Sequence, residues 1–181
     1  MNDYNNLLSK VENYKSICIF VDNSGFDAVL GILPLVIEFL KNKTTKVIIC
    51  SNSKPAINDI TNAEMHLVIK KACLLNSTLK EAFLETKNLI LIETASASPC
   101  LDLSRISIDL ADLIVLNKVD LVIIEGMGRA IHTNYSAEFN CDSLKIAVLK
   151  NRWLAQRFGF AEKENEEKKF PIVFKFEECK A

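Results

Sequence analysis

Short, uninterrupted apolar runs constrain the fold of this chain more than any other feature of its sequence. Five runs have the length of a strand, and most of them lack the apolar–polar alternation of a half-buried strand; they cover residues 17–21, 47–50, 89–92, 121–124 and 172–176. Runs of this kind are typical of strands buried on both faces of a parallel sheet. We therefore predict about five strands, most of them parallel.

Between these runs, apolar residues recur at helical spacing, and we predict helices over residues 26–40, 60–75, 108–116 and 144–158. The first is the most apolar and is expected to pack deep against the sheet. Residues 1–15 leave room for at most one short helix. Strands that alternate with helices predict a doubly wound, mainly parallel α/β sheet, Rossmann-like, in a single domain over residues 1–181.

Composition and charge exclude several classes of function. The 22 Lys and Arg nearly balance the 23 Asp and Glu, so no bulk field favours nucleic acid. The N-terminus is polar, and the apolar stretches are too short to span a membrane. None of the six cysteines forms a C-x-x-C pair, which favours reduced thiols. We expect a cytoplasmic protein without nucleic-acid or membrane partners, and a solvated polar loop at 162–169.

Polar residues follow the first two runs, at the strand ends where open α/β sheets bind ligands. Asp22 and Asn23 follow the first run, and their oxygens are hard ligands suited to magnesium or manganese. Asp59 reaches the same point if the first two strands are neighbours. In the same second loop, Ser51 and Asn52 suit an oxyanion. An Asx turn at Asp22 and a helix N-cap at Asp59 are the alternative interpretations.

The loop after the fourth run combines two glycines with an arginine: Glu125, Gly126, Met127, Gly128 and Arg129. The glycines let the backbone turn tightly and approach a ligand closely. Arg129 offers a planar, permanently charged fork suited to phosphate. The alternative is that Arg129 pairs with Glu125 or Asp102 and only braces the loop.

Two further residues near this loop could take part. His132 could donate a proton to a leaving alkoxide or bind phosphate, although a lone histidine is more often structural. Lys145 lies on the predicted helix at 144–158, either facing the site or solvated. Asp102 and Arg105 in the preceding loop are best explained as a local ion pair three residues apart.

Other nucleotide and phosphate motifs are incomplete. The chain has no P-loop sequence, and Ile131 stands where a dinucleotide-binding loop would need its third glycine. Ser24 stands where a haloacid-dehalogenase-type nucleophile would have a second aspartate. Asp22 is therefore interpreted as a metal ligand rather than a nucleophile.

The motifs occur in one order along the chain: Asp-Asn-Ser-Gly at 22–25, Ser-Asn-Ser-Lys-Pro at 51–55, Ser-Pro-Cys-Leu-Asp at 98–102, Glu-Gly-Met-Gly-Arg at 125–129 and Cys-Asp-Ser-Leu-Lys at 141–145. From about residue 18 to 176, the chain resembles the metal-binding domain of the damage-control phosphatase family. The resemblance is to the subfamily with the Glu-Gly-Met-Gly-Arg signature, which occurs both in stand-alone proteins and joined to a pantothenate kinase-like region.

The resemblance implies a phosphatase that uses Mn²⁺, Ni²⁺, Co²⁺ or Mg²⁺ and acts on 4′-phosphopantetheine or its damaged forms in coenzyme A metabolism. In that family an aspartate, the next asparagine and a later aspartate hold the metal, and they match Asp22, Asn23 and Asp59. The signature arginine matches Arg129. Members usually carry a helical subdomain before the first strand, and we expect this single domain to lack it.

We therefore predict metal-dependent hydrolysis of a small phosphorylated metabolite. Asp22, Arg129 and His132 are assigned to catalysis. The residues assigned to substrate binding are Ser51, Asn52, Glu125, Gly126, Met127, Gly128, Arg129 and Lys145. Two alternatives stay open: a non-catalytic remnant that binds phosphopantetheine or a protein partner, and a sugar-phosphate phosphatase. The sequence leaves the oligomeric state open, a homo-oligomer included.

Overall fold

One sheet organises the computed structural model, which describes residues 3–160 and 170–179; the loop predicted at 162–169 lies outside them. Its six strands run in the order β3-β2-β1-β4-β5-β6. They are β1 Ser16–Phe20, β2 Lys46–Ser51, β3 Leu89–Glu93, β4 Leu121–Glu125, β5 Asp142–Val148 and β6 Ile172–Glu177. The first five are parallel, and β6 is antiparallel to β5. The predicted α/β class with a mainly parallel sheet is confirmed.

Helices connect the strands and cover both faces of the sheet. The α-helices are α1 Asp3–Lys10, α2 Leu33–Leu40, α3 Asn62–Ala72, α4 Ser77–Lys80, α5 Ile108–Leu116 and α6 Arg152–Arg157. Three further segments are π-helical (Asp27–Ile32, Glu81–Glu85 and Met127–Thr133), and a 3₁₀ turn covers Leu103–Arg105. None of the helices in the described part of the chain combines the length and apolarity that crossing a membrane requires.

Successive residues of a strand point to opposite faces, and here both faces are apolar. Ile17 and Ile19 of β1 pack in one buried cluster with α1, α2, α3 and α4. Cys18 and Phe20 of the same strand pack in a second cluster with α5, α6 and the segment Met127–Thr133. The core therefore has two layers, one on each side of the sheet, which is the doubly wound arrangement.

The helix predicted over residues 144–158 is wrong in its first half. Residues 142–148 form β5, which pairs with β4 on one side and with β6 on the other. The helix starts only at Arg152, where the side chain of the preceding Asn151 accepts the backbone N–H of Leu154. A short apolar run is compatible with the spacing of a helix or of a strand. Here residues 142–148 form a strand because they pair with strands on both sides. The sheet consequently has six strands rather than about five.

The predicted helices elsewhere need smaller corrections. The deep packing expected of residues 26–40 holds for α2, where Val36 is fully buried. It is wrong for Phe26 and Leu30, whose side chains are 82% and 68% exposed. Helix α3 is capped by Thr61, which accepts from Glu64 N while Glu64 accepts from Thr61 N. The alternative that Asp59 is the N-cap is therefore wrong.

None of the six cysteines is part of a disulfide in the described structure. The Sγ atoms of Cys18 and Cys50 lie 3.4 Å apart in the interior. The two residues are offset along neighbouring strands, since Cys18 pairs with Ile48 and Cys50 with Phe20. Burial raises the pKa of the Cys50 thiol well above its ordinary value, and the contact with Cys18 raises it further. Both side chains are shielded from solvent, so both thiols should react slowly in the folded protein.

Asp142 joins three parts of the chain at the start of β5. Its carboxylate accepts hydrogen bonds from Tyr14 Oη at 2.8 Å, from Lys10 Nζ at 3.1 Å and from Cys179 N at 2.8 Å. Burial by itself raises the pKa of Asp142, but these hydrogen bonds outweigh it and hold the pKa below 3.8. The ionised carboxylate therefore stabilises the fold above that pH, and this contribution is lost as the pH falls through the lowered pKa.

We predict that Asp142→Asn lowers the free energy of unfolding at pH 7 by about 1–3 kcal/mol, because an amide makes weaker hydrogen bonds to Lys10 and Tyr14. The deficit should shrink below about pH 4, where the wild-type carboxylate is itself protonated. Denaturant unfolding at a series of pH values measures both effects. Asp112→Asn, on the exposed side of α5, is the matched control and should change little. Equal pH profiles for wild type and Asp142→Asn would contradict the assignment.

Candidate active site

The polar residues identified in the sequence gather at the carboxyl ends of β1, β2 and β4. Asp22 follows β1, Asn52 follows β2, and Glu125 ends β4. From β1 the chain adds β2 and β3 on one side of the sheet and then β4, β5 and β6 on the other. The switch point lies between β1 and β4, which are hydrogen-bonded neighbours. A switch point of this kind opens a crevice where α/β sheets bind ligands.

The segment that carries Asp59 lies between the ends of β1 and β2. Ile60 N donates to Asp22 O at 2.9 Å, and Asn52 N donates to Ile60 O at 3.2 Å. Ser24 N also donates to Asn58 O at 2.9 Å. These backbone bonds fix Asp59 beside Asp22, as the sequence predicts for neighbouring first and second strands.

Arg129 lies at the centre of the group and is only 3% exposed. Nη1 donates to Asp22 Oδ1 and, at 3.4 Å, to the Pro99 carbonyl. Nη2 donates to Asp59 Oδ2 at 2.7 Å and to Asn52 Oδ1 at 3.0 Å. The four N–H groups of the two Nη atoms thus match four acceptors. The predicted alternative pairing of Arg129 with Glu125 or Asp102 is wrong, since its carboxylate partners are Asp22 and Asp59.

At both glycines of the signature the backbone lies so close to a neighbouring loop that a Cβ atom would clash with it. A Cβ on Gly126 would lie 2.2 Å from Asp22 Oδ2, and the backbone there has φ +99°. A Cβ on Gly128 would lie 2.3 Å from the carbonyl oxygen of Pro99. The absence of side chains at these two positions lets the signature contact the Asp22 loop and the Pro99 loop at once.

Negative charge exceeds positive charge in this crevice. Glu125 Oε2 accepts from Asp22 N at 2.9 Å, so a third carboxyl group lies beside the Asp22–Arg129–Asp59 cluster. Burial raises the pKa of Asp22 to about 6; Arg129 opposes the shift and the Asp59 charge adds to it. Burial also raises the pKa of Glu125 to about 7, opposed by its hydrogen bond from Asp22 N.

Asn23 is held by its neighbours on both sides. Its Nδ2 donates to Asp27 Oδ2 at 2.6 Å, and its Oδ1 accepts from Asn58 Nδ2 at 2.8 Å. Its backbone also forms a bridge with Asp59. The orientation of the Asn23 amide is therefore fixed by its contacts with Asp27 and Asn58.

The chemistry of these donors fits a divalent cation. Within residues 3–160 and 170–179, no three His, Cys, Asp or Glu side chains form a group that could hold a metal ion. The predicted set has two such groups, Asp22 and Asp59, and takes its third oxygen from an amide, Asn23. Hard oxygen ligands of this kind suit Mg²⁺ and Mn²⁺.

Lys145 is placed differently from the prediction. It lies on β5 rather than on a helix, and it is fully buried. Its three N–H donors are matched by the carbonyl oxygens of Tyr135 at 3.1 Å and Ala137 at 2.6 Å and by Glu177 Oε2 at 2.7 Å. Lys145 therefore holds the loop that follows the signature. Its predicted contact with substrate phosphate is not supported by these partners.

The other predicted residues have distinct positions. The Ser51 side chain is buried and directed at Asn62 Oδ1, at 3.4 Å. Met127 packs against the second core cluster. His132 is exposed near the end of the π-helical segment, and no side-chain hydrogen bond or ion pair within the described residues joins it to Arg129. Substrate binding by Ser51 and Met127 and proton transfer by His132 stay predictions.

Lys150 was missed by the assignment from sequence. It is exposed just beyond the carboxyl end of β5. Its positive charge opposes the rise in the pKa of Asp22 that burial causes. The misassigned helix concealed it: had residues 142–148 been taken as a strand, Lys150 would have fallen at the carboxyl end, with Asp22 and Glu125. The Asp102–Arg105 ion pair, by contrast, forms as predicted, at 3.5 Å.

The fold is α/β, and a buried carboxylate–arginine cluster lies at the switch point of the sheet. Comparison with protein families matches residues 1–165 to the damage-control phosphatase ARMT1-like domain. The chain belongs to this family.

Individual relatives agree with the family. The chain is 36% identical over 211 aligned residues to a mouse 4′-phosphopantetheine phosphatase, covering 91% of this chain and 25% of that protein. It is 39% identical over 170 residues to an Arabidopsis thaliana damage-control phosphatase, covering 94% and 43%. A solved DUF89 family protein from Pyrococcus horikoshii shares the fold, with a TM-score of 0.60, 23% identity and coverage of 88% and 49%. The chain thus spans less than half the length of each.

We predict that Gly126→Ala destabilises the protein by more than Gly25→Ala does. Both glycines have positive φ, but a Cβ on Gly25 meets nothing within 4 Å. Each substitution costs about 1–3 kcal/mol of backbone strain at a positive φ, and Gly126→Ala adds about 1–3 kcal/mol from the clash with Asp22. Denaturant unfolding of the two variants measures the difference. Equal losses would contradict the close approach of Gly126 to Asp22.

Proposed function

We propose that this chain hydrolyses a phosphomonoester with the help of a divalent metal, and that its substrate is 4′-phosphopantetheine or a damaged form of it. The observation that carries the proposal is the buried cluster in which Arg129 reaches both Asp22 and Asp59 at the switch point of the sheet. Membership of the damage-control phosphatase family supports the reaction. The mouse relative, named as a 4′-phosphopantetheine phosphatase, supports the substrate.

Asp22, Asn23 and Asp59 would hold the metal ion, which we expect to be Mn²⁺, Ni²⁺, Co²⁺ or Mg²⁺. Such an ion, when bound, polarises a phosphoryl group and lowers the pKa of a bound water. The residues around it prepare the site: Glu125 fixes the Asp22 backbone, and Asn58 and Asp27 fix the Asn23 amide.

Positively charged and polar groups of the crevice would bind the phosphate. Arg129 has its guanidinium in the crevice, and Lys150 presents an exposed ammonium close enough to influence Asp22. Asn52 donates to Asp59 and to the Ser98 carbonyl, which holds the Asp59 carboxylate in place. Charge on the phosphate oxygens would thus be stabilised by groups fixed before the substrate arrives.

Phosphate release from 4′-phosphopantetheine with Mn²⁺ tests the proposal. Asp22→Asn should abolish metal-dependent turnover, because it removes a charged ligand and keeps the shape of the side chain. Asp109→Asn, exposed on α5, is the matched control and should keep full activity. Absence of phosphatase activity in the folded wild type, with every phosphomonoester and metal tried, would support the non-catalytic alternative. Preference for sugar phosphates over 4′-phosphopantetheine in the same panel would support the sugar-phosphate phosphatase.

The ion pairs of Arg129 give a second prediction. Arg129→Ala leaves two buried carboxylates without their cation, which should cost about 3–5 kcal/mol of stability in the presence of a chelator. Saturating Mn²⁺ should recover much of this loss, because a cation at Asp22 and Asp59 replaces the missing charge. Arg129→Lys should be intermediate, since lysine keeps the charge and loses the planar fork.

Thermal unfolding with chelator and with Mn²⁺ measures the effect. Arg105→Ala removes an exposed arginine paired with Asp102 and should change little in either condition. A Mn²⁺-dependent shift no larger in Arg129→Ala than in the wild type would argue against Asp22 and Asp59 as metal ligands.

A further inference from the structure

The last strand brings the C-terminal residues alongside the start of β5. In the antiparallel ladder, Leu144 pairs with Phe176 and Ser143 with Glu177. Extending this register by two residues places Cys141 directly opposite Cys179. The two cysteines are distant in sequence and lie just outside the strands, in the stretches where the continued register would bring them together.

Side-chain contacts keep the two segments together beyond the last ladder pair. Cys179 N donates to Asp142 Oδ1 at 2.8 Å. Lys10 Nζ lies 3.1 Å from the Asp142 carboxylate and 3.2 Å from that of Glu178. Asp142 and Glu178 therefore still lie across from each other, as the register requires for the residues next to the two cysteines.

Both cysteines line one open pocket beside the amino-terminal ends of the parallel strands. Its volume is about 450 Å³, and Tyr14 and Asp120 contribute to its wall. Cys179 is exposed and Cys141 is half-buried. Burial, with a smaller contribution from the charge of a Cys179 thiolate, raises the pKa of Cys141 to about 11. Cys179, which is exposed, is therefore the thiol that an oxidant meets first.

The geometry suits a disulfide better here than at the other close pair of cysteines. If the register of β5 and β6 continues to Cys141 and Cys179, their Cβ atoms lie roughly 4.5–5.5 Å apart, close to the roughly 3.5–4.5 Å of a disulfide. Cys18 and Cys50 are offset along parallel strands and fully shielded from solvent. An oxidant in solution reaches Cys179 but not that buried pair.

We propose that Cys141 and Cys179 form an oxidisable pair that hydrogen peroxide converts into a disulfide. The Cys179 thiolate attacks one peroxide oxygen and breaks the O–O bond, which gives a sulfenic acid and, after protonation, one water. The Cys141 sulfur then attacks the Cys179 sulfur, forms the S–S bond and releases the hydroxyl group as a second water. The two thiols lose two electrons, and the peroxide gains them.

The disulfide would fasten the edge strand β6 to β5. Glu177 of β6 pairs with the buried Lys145, and Lys145 in turn holds the Tyr135 and Ala137 carbonyls. A covalent link at Cys179 therefore restrains the part of β6 on which these contacts depend. The disulfide also lowers the conformational entropy of the unfolded chain. Oxidation should therefore raise the melting temperature by several degrees.

The experiment uses the full chain, first reduced, then treated with hydrogen peroxide, alkylated and digested with trypsin. Cleavage after Arg129, Lys145, Lys175 and Lys180 gives one peptide of residues 130–145 with Cys141 and one of residues 176–180 with Cys179. We expect mass spectrometry to find these two peptides joined. The number of free thiols should fall from six to four, and the melting temperature should rise.

Two variants make the result specific. Cys179→Ser changes an exposed residue and should fold normally, and it should lose both the joined peptides and the rise in melting temperature. Cys100→Ser changes another half-buried cysteine and should keep both. The proposal is overturned if peroxide takes Cys179 to sulfinic acid and leaves Cys141 unmodified. It is also overturned if Cys179 links two chains, or if the disulfide joins other cysteines.

Discussion

The site depends on one buried arginine that neutralises two buried carboxylates. Asp22 and Asp59 come from different loops, and each would be costly to bury without a positive partner. Arg129 supplies that partner to both at once, and its remaining Nη donors bind Asn52 and the Pro99 carbonyl. Three loops, those that follow β1, β2 and β3, are thus tied to one guanidinium. Any ligand that enters the crevice must compete with, or complement, this network.

The sheet and the glycines make the network possible. The carboxyl ends of β1, β2 and β4 meet at the reversal of strand order, so the loops that follow them converge without long excursions. Gly126 and Gly128 remove the two Cβ atoms that would hold the signature away from Asp22 and Pro99. The fold brings the carboxylates together, and the glycines allow the arginine to reach them.

Much of this could be predicted from the sequence, because the signals were strong and local. The continuous apolar runs predicted parallel strands, and polar residues at their ends predicted which loops converge. The predictions failed where pairing with distant segments determines the local conformation. Residues 142–148 fit a helix by spacing and became a strand because β4 and β6 pair with them. That error moved Lys145 to the wrong place and hid Lys150. The partners of Arg129 were also beyond sequence reasoning, since three carboxylates and several carbonyls were equally plausible acceptors.

The separation of the site residues along the chain also bears on how the protein is made. Asp22 and Arg129 are 107 residues apart, and β1 lies between β2 and β4. During synthesis β1 and β2 can pair early, which brings Asp22 and Asp59 together, but the second edge of β1 stays open until β4 has left the ribosome. For that interval the nascent chain carries a pair of neighbouring acidic groups without their arginine and an apolar strand edge without its partner. Nascent chains of this kind are exposed to aggregation, so the emergence of the signature both completes the crevice and closes the most vulnerable edge of the sheet.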